Sequence, residues 1–184
     1  MTLLEAQKDM RKSYFGGGPG ALVSGFVWLS AGITALISTE KLSVIIFFFG
    51  GMLIHPLGIV LSKALKRSGK HKKENPLSHL ALESTILLFI GLFIAYSILQ
   101  VHANWFFSIM ILIIGARYLI FSSLYGMKIY WVFGAVLILA GILGISFHNE
   151  FYLIGILGGT IEIVFSIIIL FLESKSINSI VIKS

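Results

Sequence analysis

The chain contains no cysteine, which excludes disulfides, iron–sulfur clusters and thiol nucleophiles and leaves the redox compartment open. Charge is scarce as well. Only 12% of the 184 residues are Asp, Glu, Lys or Arg, where a soluble domain carries about a quarter. Asp9 is the sole aspartate, and the sequence holds no Walker loop, HExxH or GxSxG. An ATPase and an aspartyl intramembrane protease are therefore excluded on this chain. What is present is apolar: 57% of residues, with a mean hydropathy of +0.97. That balance excludes an ordinary cytosolic enzyme, a disordered chain and a disulfide-stapled secreted domain. At this length one domain is expected.

A membrane-spanning helix needs about 20 mostly apolar residues. Six segments qualify: Gly20–Ser38, Leu42–Ser62, Leu80–Gln100, Asn104–Ser122, Tyr130–Phe147 and Phe151–Leu172. No charge falls between Glu83 and Arg117, but that stretch is too long for one crossing, and residues 100–104 (QVHAN) supply a polar turn inside it. The fold class is thus all-α, an integral membrane bundle of six transmembrane helices. Residues 1–19 form an amphipathic leader and a glycine-rich hinge, 20–172 the transmembrane domain, and 173–184 a tail. The run GGGPG (16–20) lacks a lysine at Walker spacing, so it reads as a hinge rather than a phosphate loop.

Lysine and arginine orient the bundle. Lys8, Arg11 and Lys12 precede the first span, six cations lie between the second and third, Lys128 follows the fourth, and Lys175 and Lys183 follow the sixth. Lys41 alone lies on the opposite side, and Arg117 lies within the fourth span. By the positive-inside rule both termini are cytoplasmic, and a multi-pass protein of the plasma membrane is expected. The run KALKRSGKHKK (63–73) lacks interleaved aromatics and abuts a span. It reads as a topology signal whose Lys63, Lys66, Arg67, Lys70, Lys72 and Lys73 touch anionic lipid, with no nucleic acid as partner.

Ionisable residues inside spans are costly, so each is a candidate site. At about 1.5 Å per residue, Glu162 lies roughly 15 Å from the inner end of its helix, His55 about 10 Å and Arg117 about 8 Å. Side chains lean toward the helix N-terminus, which brings these three toward one level. They form a candidate deep cluster for ligand binding or proton relay. His79 and Glu83, one turn apart, form a candidate cavity mouth. Pro56 removes a helix hydrogen bond beside His55 and marks a kink that lines a cavity. A zinc site needs three protein ligands, which His55, His79 and Glu83 supply only if their helices pack closely; no metal and no cofactor is expected.

Small residues at four-residue spacing (Gly155/Gly159, Gly91/Ala95, Ala140/Gly144) allow close helix packing within the bundle, or a homodimer. Trp28, mid-span, reads as core. Trp131, Tyr125 and Tyr130 read as an inner aromatic belt, and Trp105, Phe151 and Tyr152 as an outer one.

The leader EAQKDMRKSYFGGGPG, running into a Trp-containing first helix, resembles that of small bacterial membrane proteins of an uncharacterised family. The resemblance implies no activity. The residues themselves point first to binding or transport of a small ion or a polar or amphipathic molecule in a cytoplasm-facing polar cavity. An intramembrane enzyme acting on a lipid or isoprenoid, with Glu162 or Glu83 as general acid–base, is the alternative. A structural or accessory subunit, in which Arg117 and Glu162 pair to fix helix register, is a third.

Overall fold

Thr2 and Glu5 close a capping box: Glu5 Oε2 accepts from Thr2 N–H at 2.8 Å, and Thr2 Oγ1 accepts from Glu5 N–H at 3.3 Å. From this start α1 runs over Leu3–Ser13 and buries Ala6, Met10 and Ser13. The computed structural model describes residues 1–147 and 150–181, and side chains up to Lys175. Lys183, counted above among the orienting cations, lies outside the described residues.

A 3₁₀ turn at Phe15–Gly17 leads into α2 (Gly18–Ile37). Phe15, Gly16 and Gly17 all have positive φ, at 51°, 64° and 85°. The glycines are needed here for space as well as conformation. A Cβ on Gly17 would stand 2.6 Å from Tyr130 Oη, and that hydroxyl donates to the Gly16 carbonyl. Gly16 to Pro19 are buried, so the expected loose hinge is a packed and bonded turn.

The remaining helices are α3 (Glu40–Ala64), α4 (Leu77–Leu99), α5 (Trp105–Tyr125), α6 (Ile129–Ser146) and α7 (Phe151–Val181). Thr39 caps α3 by accepting from Leu42 N–H at 3.2 Å. Gly126, at φ 64°, ends α5. Six of the seven helices are long and apolar enough to cross a membrane, and there is no strand among the described residues. Their bounds follow the expected spans to within a few residues, except that α7 continues well past 172. Pro56 lies inside α3, which stays helical through it.

The helices form two groups of three. α2 lies between α3 and α7, α5 lies between α4 and α6, and the groups meet where α7 touches α5 and α6. Glycines set the closest approaches. Gly155 and Gly159 of α7 face Gly32 and Gly25 of α2, Gly115 of α5 faces Gly134 of α6, and Gly91 of α4 faces Ile113 of α5. The small-residue pairs are thus used in packing within the chain. Trp28 is 1% exposed, edge-on to Phe47, and joins Phe106, Phe107 and Phe151 in the core.

The belts need correction. Trp131 faces outward, but Tyr125, Tyr130 and Phe151 are buried. A tyrosine can go inside when its hydroxyl finds an acceptor there, as Tyr130 does on Gly16.

The end of the bundle that carries α1 and the connection from Leu65 to Pro76 is the basic end. There α1 is tied down rather than lying free. Gln7 Nε2 donates to Ser123 O at 2.8 Å, Asn75 Nδ2 to Ala6 O at 3.0 Å, and Gly69 N–H to Ser13 O at 3.0 Å. Tyr14 Oη bonds His71 Nδ1 at 2.8 Å. Burial pushes the Tyr14 phenol above its usual pKa, against the opposing pull of a hydrogen bond from the His71 backbone.

Candidate functional site

One face of α7 carries Glu162, Ser166, Ile169 and Glu173 at helical spacing, and all four are buried. Glu162 lies midway along the apolar part of α7 and is 0% exposed. Its Oε1 accepts from Tyr118 Oη of α5 at 2.8 Å. Its Oε2 has no hydrogen-bond partner, although the Ser24 hydroxyl of α2 is close by. One turn along, Ser166 Oγ donates to Gly18 O at 2.8 Å. Eleven residues on, roughly 16 Å along the helix, Glu173 Oε1 accepts from Arg11 Nε at 2.5 Å. That is the one ion pair among the described residues.

Tyrosines connect these two carboxyl groups. The Tyr118 ring stacks on Phe133 at 3.9 Å and on Tyr130 at 5.8 Å between centroids. Tyr130 in turn reaches the turn at Gly16, where the Glu173 side chain also lies. A column of polar groups, buried except for Arg11, therefore runs from Arg11 and Glu173 at the basic end, past Tyr130, to Tyr118 and Glu162. Aromatic rings wall it, with Phe165 flat on Phe133 at 4.5 Å. Such a column can hold a proton or a cation at a carboxyl oxygen, and it can fix the register of α5 against α7.

The expected deep cluster divides. Glu162 is buried against Tyr118 of α5, but Arg117 turns toward α4. Its Nη2 donates to Thr85 Oγ1 at 3.3 Å, its guanidinium lies 5.1 Å over the Phe121 ring, and its buried Nε is unpartnered. One residue of helix is about 100° of rotation, so once Tyr118 faces α7, Arg117 cannot. Arg117 and Glu162 form no ion pair.

His55 is further from the expected place. α3 packs on α2 through Ser43, Phe47 and Gly58, and His55 lies beside that stripe with its side chain exposed on the outer surface. Pro56 is exposed with it. His79 and Glu83 share a face of α4 as expected, but that face is outward and both are exposed. Among the described residues no three His, Cys, Asp or Glu gather closely enough to hold a metal ion.

Sequence reasoning missed Tyr118, Tyr130, Arg11 and Glu173. A signal existed for the last: Glu162, Ser166 and Glu173 are polar residues at i, i+4 and i+11, one face of a single helix. Placing Glu173 in a tail hid it.

Six helices long and apolar enough to cross a membrane make this an all-helical chain with the build of a polytopic membrane protein. The chain belongs to the family of unknown function DUF7010, whose model matches residues 3–172. No curated protein and no solved structure matches it.

Proposed function

We propose that this protein spans the cell membrane with both termini in the cytoplasm and binds or transports a small ion or a polar or amphipathic molecule at Glu162. The cation asymmetry supports the orientation and makes the basic end the cytoplasmic one. The observation that carries the function is the state of Glu162: fully buried at mid-span, with one oxygen held by Tyr118 and the other unpartnered. A carboxyl group is expensive at this depth, and an unused oxygen is the atom that would take a proton or touch a cation. Tyr118 orients the group. Tyr130 and Glu173 lie between it and the cytoplasm, and the Arg11–Glu173 pair closes that end.

Native mass spectrometry of the detergent-purified protein tests this, wild type beside Glu162→Gln. The wild type should retain a small molecule, ion or lipid that the variant loses. The same species retained equally by both would overturn the reading.

A structural or accessory role is the second reading. It is favoured by the Tyr118–Glu162 bond lying on the seam between the two helix groups, and by neither of the two described cavities touching Glu162. It predicts that Tyr118→Phe with Glu162→Gln is no less stable than either change alone.

A further inference from the structure

A groove of about 810 Å³ opens at the basic end between α1 and the Leu65–Pro76 connection. Lys8 and Lys12 line it from α1; Lys66, Arg67, Lys70 and Lys72 line it from the connection. Three carboxylates share the groove, yet none neutralises these cations by an ion pair. Glu5 is engaged by the Thr2 N–H, and Asp9 Oδ2 accepts from Lys72 N–H at 3.0 Å and Asn75 Nδ2 at 2.8 Å. Glu74 is in no ion pair either. Glu5 and Asp9 accept hydrogen bonds from the backbone and side chains that build the groove, and the lysines that line it are in no ion pair among the described residues.

Two further details fix cations in place. Lys66 has φ 60° just past the end of α3, where Arg67 N–H closes the turn on Ser62 O. Glycine adopts that conformation at least cost, so the lysine is kept at a conformational penalty in a position that lines the groove. Arg67 is held 4.6 Å over the Phe15 ring, beside the turn into α2.

We propose that this groove binds a phosphate-bearing anion of two or more negative charges. Six cations against three carboxylates in the groove leave three positive charges in excess, which a single carboxylate ligand would not neutralise. Several flexible ammonium groups around one guanidinium suit a phosphate, which accepts hydrogen bonds on every face. The anion's source is either a lipid headgroup of the adjacent leaflet or a soluble phosphate ester. The inference does not depend on the role assigned to Glu162.

Two probes separate the sources: pyrophosphate binding by titration calorimetry in detergent, and cardiolipin retention from phosphatidylcholine nanodiscs by native mass spectrometry, both at physiological salt. Three variants are compared: Lys8→Gln with Lys12→Gln, Lys66→Gln with Lys70→Gln, and Lys128→Gln with Lys175→Gln. All three remove two positive charges, but Lys128 and Lys175 do not line the groove. The first two should weaken binding at least about tenfold, as expected for loss of charge-assisted contacts, and the third should leave it within about twofold. Pyrophosphate responding in this pattern assigns a soluble phosphate; cardiolipin alone responding assigns a headgroup. An equal loss in the third variant means diffuse charge and no site. Failure of both probes to bind the wild type would overturn the proposal as well.

Discussion

Gly32→Ala should destabilise the bundle although it adds a single methyl group to a helix. A Cβ at Gly32 would stand 2.6 Å from Ile156 N and 2.8 Å from Gly155 C on α7. Both are backbone atoms, so no neighbouring side chain can turn aside. Carbon contacts are comfortable at about 3.5–4.0 Å, and α2 and α7 must therefore separate locally by about 1 Å. The crossing is continuous with the Gly25–Gly159 contact, so the separation loosens that contact too. Overpacking of this kind costs about 1–3 kcal/mol, and alanine's helical advantage over glycine returns up to about 1 kcal/mol. A net loss of about 1–2 kcal/mol is expected. Gly51→Ala on α3 is the control, because nothing lies within 4 Å of a Cβ there. It should be neutral or slightly stabilising. Thermal unfolding in detergent, followed by the fluorescence of Trp28 one turn away, compares the two. If Gly32→Ala is as stable as Gly51→Ala, α2 and α7 do not cross as closely as described.

Two other outcomes are expected. Tyr130→Phe removes the donor to the buried Gly16 carbonyl and should cost about 1–3 kcal/mol in the same assay, since that oxygen loses its hydrogen bond without gaining water; an unchanged melting curve would mean the turn does not need the bond. Bonding to the Thr2 N–H and hydroxyl holds the Glu5 carboxyl below its ordinary pKa of 4.5. Its contribution to α1 is therefore complete above that value and lost as the pH falls through the lower, folded value. Hydrogen-exchange protection at the start of α1 should drop in that acid window in the wild type and show no such step in Glu5→Gln.

The six spans were legible because about 20 apolar residues between polar breaks is a constraint of bilayer thickness, and it acts on each segment separately. Position along each helix was legible for the same reason, and Glu162 lies midway along the apolar part of its helix. Rotation about the helix axis was not. In a span that is apolar all round, no polar face marks the side that packs, so Arg117 and His55 were assigned to an interior that Tyr118 and the Ser43–Phe47–Gly58 stripe occupy instead. The aromatic belts failed similarly. Tyr125 and Tyr130 have the sequence positions of interfacial residues, and only the fold shows that Gly16 offers an acceptor inside. The ties that hold α1 join residues more than fifty positions apart, as in Asp9–Asn75 and Arg11–Glu173, and no local pattern announces them.

The central claim is that Glu162 is a working carboxyl group and not a fixed structural contact. Its carboxyl stretching band can be followed directly by difference infrared spectroscopy while the purified protein is titrated through the physiological pH range. A working Glu162 gives a band that changes with pH in the wild type, is absent in Glu162→Gln, and shifts in Tyr118→Phe, which removes its hydrogen-bond donor. A wild-type difference spectrum identical to that of Glu162→Gln would show that this carboxyl exchanges no proton, and would contradict the claim.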